Sequence, residues 1–188
     1  MKDNFKKIRC LFSESDVQTA FGSMAEKIAS WAHPESTILM GMASRGIPIA
    51  KAIAQILEKE YDVLVPVGSI DNSYYRDDFH YRKRINNPPL KISEMPAEVE
   101  GKMVVLIDDV LYTGRSVRAA LQAILDLGRP SSVKLCVLVD RGRRELPIAP
   151  DCTGVSIETE ANQEVRVCIS PYDDETAVWL VEVEEEIA

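Results

Sequence analysis

Val104-Val105-Leu106-Ile107-Asp108-Asp109-Val110-Leu111-Tyr112-Thr113-Gly114-Arg115-Ser116 is the most informative stretch of this chain. Four apolar residues without alternation read as a strand buried on both faces, which is the pattern of a parallel sheet. That strand delivers two adjacent carboxylates, Asp108 and Asp109, to its exit. Thr113-Gly114-Arg115-Ser116 then opens a helix, so backbone N–H groups and hydroxyls can surround a phosphate with the positive end of the helix dipole behind it. The two acids suit ribose hydroxyls and a hard cation such as Mg²⁺, bound directly or through its waters.

Outward from this stretch, strands and helices alternate. On its N-terminal side the spacing predicts a first helix that opens on a capping box at Ser15-x-x-Gln18 and buries Val17, Phe21, Met24, Ile28 and Trp31. A buried strand follows at Thr37–Met42, then a turn at Ala43-Ser44-Arg45-Gly46. Pro48 suits the first turn of a second helix, which carries Ala50, Ile53, Ala54 and Leu57 to about Tyr61. Residues 63–67 read as another strand. On the C-terminal side, 103–107 reads as a strand and 108–114 as a loop. Residues 116–127 read as a helix stopped by Gly128 and Pro130, and 133–139 as a buried strand. Such an α/β alternation implies a central, mostly parallel sheet flanked by helices, with its ligand crevice at the carboxyl ends of the strands. The loops at 43–46, 108–116 and 140–147 are therefore the expected site. Residues 71–101 break the pattern with polar, aromatic and proline residues, as a flexible lid does, although alone they read equally as a solvated excursion or a dimer contact. The acidic end of the chain reads as antiparallel strands near 165–169 and 178–183.

Composition sets the outer limits. A chain of 188 residues, 46% hydrophobic, has room for one compact domain over 1–188 with a real core. Cys10, Cys136, Cys152 and Cys168 form no C-x-x-C pair and read as reduced thiols; with no apolar leader and no long apolar run, the expected location is cytoplasmic, without a membrane. The net charge of −8 argues against a generally basic nucleic-acid binder. It is unevenly spread: from Glu145 onward twelve acids face one base, Arg166, so residues 1–144 carry +3.

The segment 104–116 resembles, over all thirteen positions, the phosphoribosyl pyrophosphate motif of the type I phosphoribosyltransferases. That resemblance implies their fold with a flexible hood, and Mg²⁺ as cofactor. It assigns Asp108 and Asp109 to the ribose hydroxyls and metal, and places Val110, Leu111, Tyr112, Thr113, Gly114, Arg115 and Ser116 around the substrate, the last four on the 5′-phosphate. Ser44-Arg45-Gly46 matches the family's pyrophosphate loop, often built on a cis peptide, with Arg45 holding pyrophosphate. In Tyr75-Arg76-Asp77-Asp78, Arg76 would reach pyrophosphate from the hood. Purine-salvage members usually carry an acid where this chain has Tyr112, so a pyrimidine acceptor is implied.

Leu127-Gly128-Arg129-Pro130-Ser131-Ser132 and Val137-Leu138-Val139-Asp140-Arg141-Gly142-Arg143-Arg144-Glu145-Leu146-Pro147-Ile148, together with 109–115, resemble the family of bifunctional pyrimidine-operon regulators and uracil phosphoribosyltransferases from about Ser13 to Val181. This implies a base-binding segment within 140–183, with uracil against Val139, Asp140 and Arg141 and read largely by main-chain groups. Phosphoribosyl pyrophosphate, uracil, UMP and UTP become the expected ligands, a homodimer or homotetramer the expected assembly, and pyrimidine-operon mRNA a partner through Arg141, Arg143 and Arg144. The chain departs from that family in its basic positions. Arg143 stands in place of a histidine, Ala149 and Val155 in place of basic residues, and Glu26 in place of a histidine. Two readings thus stand side by side: an enzyme making UMP, and a nucleotide-sensing RNA-binding regulator using the same pocket. A transferase acting on another base keeps the same chemistry.

Overall fold

A computed structural model describes residues 5–71, 91–94, 96–160 and 162–183. The expected lid residues Tyr75, Arg76, Asp77 and Asp78 lie outside them.

The element order is β1 (Phe5–Phe12), α1 (Glu14–Ala29), β2 (Thr37–Met42), α2 (Gly46–Tyr61), β3 (Val67–Asp71), β4 (Lys91–Glu94), β5 (Met103–Leu111), α3 (Arg115–Asp126), β6 (Ser132–Asp140), β7 (Cys152–Ser156), β8 (Gln163–Cys168) and β9 (Ala177–Val183). Six strands form one sheet in the order β4-β3-β2-β5-β6-β7, parallel except for β4, and β1-β9-β8 form a second, antiparallel sheet. The parallel strands read as unbroken apolar runs because both faces are covered. Leu39, Val105, Ile107 and Leu138 pack with α1, α2 and the inner side of β8 and β9; Ile38, Met40, Val104, Leu106 and Val137 pack with Val117, Ala120 and Ile124 of α3. Among the described residues, no helix is long and apolar enough to cross a membrane.

Three details differ from the sequence reading. The capping box belongs to Ser13 and Asp16, not Ser15 and Gln18: the Asp16 N–H donates to Ser13 Oγ at 3.4 Å and the Ser13 N–H to Asp16 Oδ2 at 2.9 Å. An aspartate serves the reciprocal role usually given to Glu or Gln. The strand expected at 63–67 begins at Val67, because Pro66 has no N–H to give a ladder and residues 63–66 are the return from α2, whose cap residue Asp62 has φ 54°. Thirdly, β5 continues through Asp108 and Asp109 to Leu111, held by parallel pairing of Val110 with Val139 and Leu111 with Asp140. The acids therefore stand on the strand itself, not in the loop after it. β1, β4 and β7 were not anticipated, and β4, paired antiparallel with β3, lies inside the 71–101 stretch read as a lid; β8 and β9 pair antiparallel as expected.

The connection from β2 through α2 leads to β3 on one side, and that from β5 through α3 leads to β6 on the other. Between β2 and β5 the strand order reverses, and crevices in open α/β sheets form at this switch point.

Candidate active site

Two loops leave the switch point. From β2, Ala43-Ser44-Arg45-Gly46 turns into α2 with a cis peptide between Ala43 and Ser44. It lies directly on β5: a Cβ at Gly46 would fall on the Ile107 carbonyl oxygen and 3.3 Å from Asp108 Cα. Only glycine permits that approach, and it seats the turn carrying Arg45 on the strand that bears the two acids, with Asp109 near enough to act on the Arg45 charge.

From β5, Asp108 is buried and Asp109 half-buried, and Asp108 Oδ1 accepts from the Asp109 N–H at 2.9 Å. In the core, Val105 and Ile107 face α1 and α2 while Val104 and Leu106 face α3; farther on, Val110 packs with the first group and Leu111 with the second. Strict alternation would give the opposite sides, so the pleat breaks at the acids and their side chains need not point to opposite faces. Thr113 is buried with its hydroxyl accepting from the Arg115 N–H at 3.3 Å, and Gly114 caps α3 at φ 91°. The turn that aims the first N–H groups of α3 toward the crevice therefore requires glycine.

The arginines are held differently from one another. Arg45 forms a side-on fork with Asp173, Nε to Oδ2 at 2.9 Å and Nη2 to Oδ1 at 2.8 Å. Burial alone would lower the Arg45 pKa, but the Asp173 bonds and charge, with a contribution from Asp109, raise it, so the guanidinium stays charged. The exposed Arg115 pairs with Glu145 through Nε at 2.7 Å and through Nη2. Arg141 is 7% exposed; it stacks 4.1 Å from the Tyr112 ring and donates to Thr159 Oγ1 at 2.9 Å and to the Gln163 carbonyl. Arg143, exposed and at φ 54°, donates to the Thr159 carbonyl at 2.7 Å. Arg144 donates to the carbonyls of Tyr112 and Gly142 at 2.9 Å, to that of Ile148 at 3.0 Å, and to Asp140 Oδ1 at 2.6 Å.

Asp140 also accepts from the Gly142 N–H at 2.8 Å, and the Arg141 N–H donates to the Leu111 carbonyl at 2.9 Å. Ser44, Arg45, Gly46, Asp108 to Ser116 and Val139 to Arg141 thus occupy the carboxyl ends of three neighbouring strands, β2, β5 and β6. Asp173, Glu145, Thr159 and Gln163 complete the network. None was singled out from the sequence, where Asp173 read only as part of an acidic tail. Glu145, within the quoted 137–148 segment, carried a signal that charge alternation with Arg115 cannot reveal without the fold.

For a metal, the donors are hard oxygens: two adjacent carboxylates, one half-exposed. Among the described residues, no group of three or more His, Cys, Asp or Glu could enclose an ion. This donor set fits Mg²⁺, which usually keeps several waters and shares phosphates of the substrate rather than sitting in a protein cage.

Residues 15–172 match the phosphoribosyl transferase domain family. The chain is 47% identical over 143 residues to the bifunctional protein PyrR of Latilactobacillus sakei, covering 76% of this chain and 80% of that one. It is 47% identical over 144 residues to the bifunctional protein PyrR of Microcystis aeruginosa, covering 77% and 80%. Among solved structures, the chain is similar to the hypoxanthine-guanine phosphoribosyltransferase of Leishmania tarentolae in complex with GMP, with a TM-score of 0.72, 18% identity and 95% and 98% of the two chains covered. It is likewise similar to the hypoxanthine phosphoribosyltransferase of Trypanosoma cruzi in complex with IMP, with a TM-score of 0.71, 19% identity and 94% and 91% covered. At those identities the structures share the fold, while the curated relatives fix the branch. This chain belongs to the phosphoribosyltransferase family and, within it, to the PyrR proteins.

Proposed function

We propose that this chain transfers the 5-phosphoribosyl group of phosphoribosyl pyrophosphate to N1 of uracil, giving UMP and diphosphate. The observation that carries the reading is the close seat of the Arg45-Gly46 turn on the backbone of Ile107 and Asp108 at the switch point, on the strand that leads to the N-terminus of α3. In this reading Thr113, Gly114, Arg115 and Ser116 hold the 5′-phosphate, and Asp108 and Asp109 hold the ribose hydroxyls. Arg45, with Arg76 from the hood, receives the charge that grows on the departing diphosphate. The C1–O bond to diphosphate breaks as the C1–N1 bond forms, and the N1 proton passes to the departing diphosphate or to water. Mg²⁺ held beside Asp108 and Asp109 would neutralise diphosphate charge. Val139, Asp140 and the fixed turn behind them present main-chain donors and acceptors to the base edge.

The relatives' name, bifunctional protein PyrR, supports a second role in which UMP or UTP in the same pocket tunes RNA binding. Its expected contacts bear on how strongly. Arg141 is buried, Arg144 is committed to five backbone and carboxylate acceptors, and Arg143 alone is exposed. The geometry therefore favours transfer over RNA recognition. Free thiols at all four cysteines support a cytoplasmic location, and a homodimer or homotetramer is the assembly proposed from the resemblance.

The test is diphosphate release from phosphoribosyl pyrophosphate and Mg²⁺ with uracil, hypoxanthine, guanine or orotate supplied separately. Turnover with uracil alone, lost in Asp109→Asn, is the expected result. Turnover with a purine would overturn the acceptor, and no turnover with any base in folded protein would leave the regulator as the better account. Binding of a pyrimidine-operon leader across a salt series tests RNA: contact with several phosphates gives a steep fall of affinity with salt.

A further inference from the structure

Asp173 lies in the turn between β8 and β9, more than a hundred residues from the pyrophosphate loop, yet its carboxylate carries both bonds of the Arg45 fork. The turn is built to hold that carboxylate still. Asp173 Oδ2 accepts the Ile169 N–H at 2.8 Å, the Asp173 N–H returns to the Ile169 carbonyl at 2.8 Å, and the Ser170 N–H donates to Thr176 Oγ1 at 3.1 Å. Ile169 itself is buried in the core. Both partners of the pair are mostly buried, with side-chain exposures of 17% and 18%. A pair so desolvated is held firmly, unlike the exposed Lys7–Glu175 pair nearby.

The side-on geometry decides what the pair does. A guanidinium has five N–H donors in a fixed plane. The fork occupies Nε and one hydrogen of Nη2, and among the described residues nothing else accepts from Arg45, so the Nη1 edge and the second Nη2 hydrogen remain for an anion. The Tyr172 ring centroid lies 5.8 Å from the Arg45 guanidinium carbon. A carboxylate that competed with the substrate would occupy the terminal edge instead.

Resting on the transfer reading above, we propose that Asp173 is a positioning residue: it orients Arg45 so that its remaining donors meet the diphosphate of phosphoribosyl pyrophosphate. The antiparallel sheet β1-β9-β8 thereby takes part in the site, through one carboxylate, without touching substrate.

The experiment measures binding of inorganic diphosphate and of phosphoribosyl pyrophosphate by calorimetry with Mg²⁺ and no base, and then KM and kcat with uracil. The variants are Asp173→Asn, Asp173→Glu, Arg45→Lys and the double variant Arg45→Lys/Asp173→Asn. Asp173→Asn keeps the shape and one acceptor but loses the fork, so KM for phosphoribosyl pyrophosphate rises about tenfold, with a smaller change in kcat. Asp173→Glu keeps both oxygens on a longer arm and gives a smaller rise; it carries the test if the Asn variant fails to fold. In the Arg45→Lys background, which has no fork to orient, adding Asp173→Asn changes KM by less than about twofold. A KM that falls in Asp173→Asn makes the carboxylate a competitor and overturns the proposal, as does an unchanged KM in both Asp173 variants. A full tenfold effect that persists without Arg45 also overturns it. If the wild-type chain binds neither diphosphate nor phosphoribosyl pyrophosphate, the transfer reading itself fails and this inference with it; binding by the wild type with unaltered variants sinks only the inference.

Discussion

Arg144 Nη1 and the Tyr112 carbonyl oxygen lie 2.9 Å apart, joining the loop after β6 to the loop after β5. The same guanidinium reaches the Gly142 and Ile148 carbonyls and Asp140. A planar fork with five donors can serve acceptors arranged in this way; an ammonium cannot. Arg144→Lys is therefore expected to raise KM for both phosphoribosyl pyrophosphate and uracil and to cost about 1–3 kcal/mol of stability by leaving half-buried acceptors unmatched. The lysine keeps the charge, so a residue whose work is phosphate contact with RNA would tolerate the change. Steady-state kinetics and urea unfolding of the variant check this. Wild-type KM values with unaltered stability would return Arg144 to the surface-contact role that the resemblance implies.

How much of this was legible beforehand follows from what each signal measures. The run 104–107, the acids and the hydroxyl-glycine turn are local features, and local chemistry told strand from helix and pointed to the ends of β2, β5 and β6 as the place for a site. The three arginines after Asp140 read as a basic cluster because sequence shows charge but not its partners. Thr159 and Gln163, which hold Arg141, are contributed from the approach to β8 and from its first residue, and only the fold brings them to Arg141. β1 escaped for a related reason: Phe5–Phe12 mixes Lys6, Lys7 and Arg9 with apolar residues, and its pairing partner, β9, stands at the other end of the chain. Asp173 is the clearest case, since its importance is entirely a matter of a long-range pair.

Gly46 tests the contact between the loop after β2 and β5. A methyl at this position would fall on the Ile107 carbonyl oxygen, and both sides of the contact are backbone, so one must move. Gly46→Ala is expected to displace Arg45 from Asp109 and lower kcat/KM on the order of 100-fold, as a displacement of about 1 Å at a catalytic group does. The effect should appear in kinetics at a temperature where circular dichroism shows the variant fully folded. Activity within a few-fold of wild type would mean that the loop accommodates the methyl and that its seat on β5 is not needed.

The first helix offers a direct comparison of two serines. Ser13 Oγ accepts the Asp16 N–H, and Asp16 Oδ2 accepts the Ser13 N–H, whereas the Ser15 side chain makes a hydroxyl contact with Ser13 at 2.9 Å and bonds no helix N–H among the described residues. The Ser13 hydroxyl also donates to Asp16 Oδ2 at 2.6 Å, and this bond, with that from the Ser13 N–H, holds the Asp16 carboxyl below its usual pKa. Ser13→Ala should destabilise the protein by about 1 kcal/mol, a typical loss for an N-cap, and Ser15→Ala by a few tenths of that at most. Equal losses in paired denaturant melts would show that the helix is not capped at Ser13.

Asp151 provides a pH-dependent strut between β6 and β7. Its carboxylate accepts Lys134 Nζ at 2.8 Å and the Leu135 N–H at 2.9 Å, next to the register pair Cys136 and Cys152. Burial pushes its pKa up, but the Lys134 and Leu135 hydrogen bonds outweigh that and hold it below the ordinary 3.8. A carboxyl whose folded pKa is depressed contributes stability that is present above the unfolded pKa and is lost as pH falls through the folded one. Lys134 and Asp151 are each about a third exposed at the side chain, so the contribution is about 1 kcal/mol after allowing for solvent screening. Asp151→Asn should therefore be less stable than wild type by that amount at pH 7 and at pH 5, and the gap should close below about pH 4 as the wild-type carboxyl takes up its proton. Urea unfolding of both proteins at pH 7, 5, 4 and 3 measures the gap. A difference that stays constant down to pH 3 would mean that the asparagine loses shape or packing rather than charge, and the ionised strut would have to be abandoned.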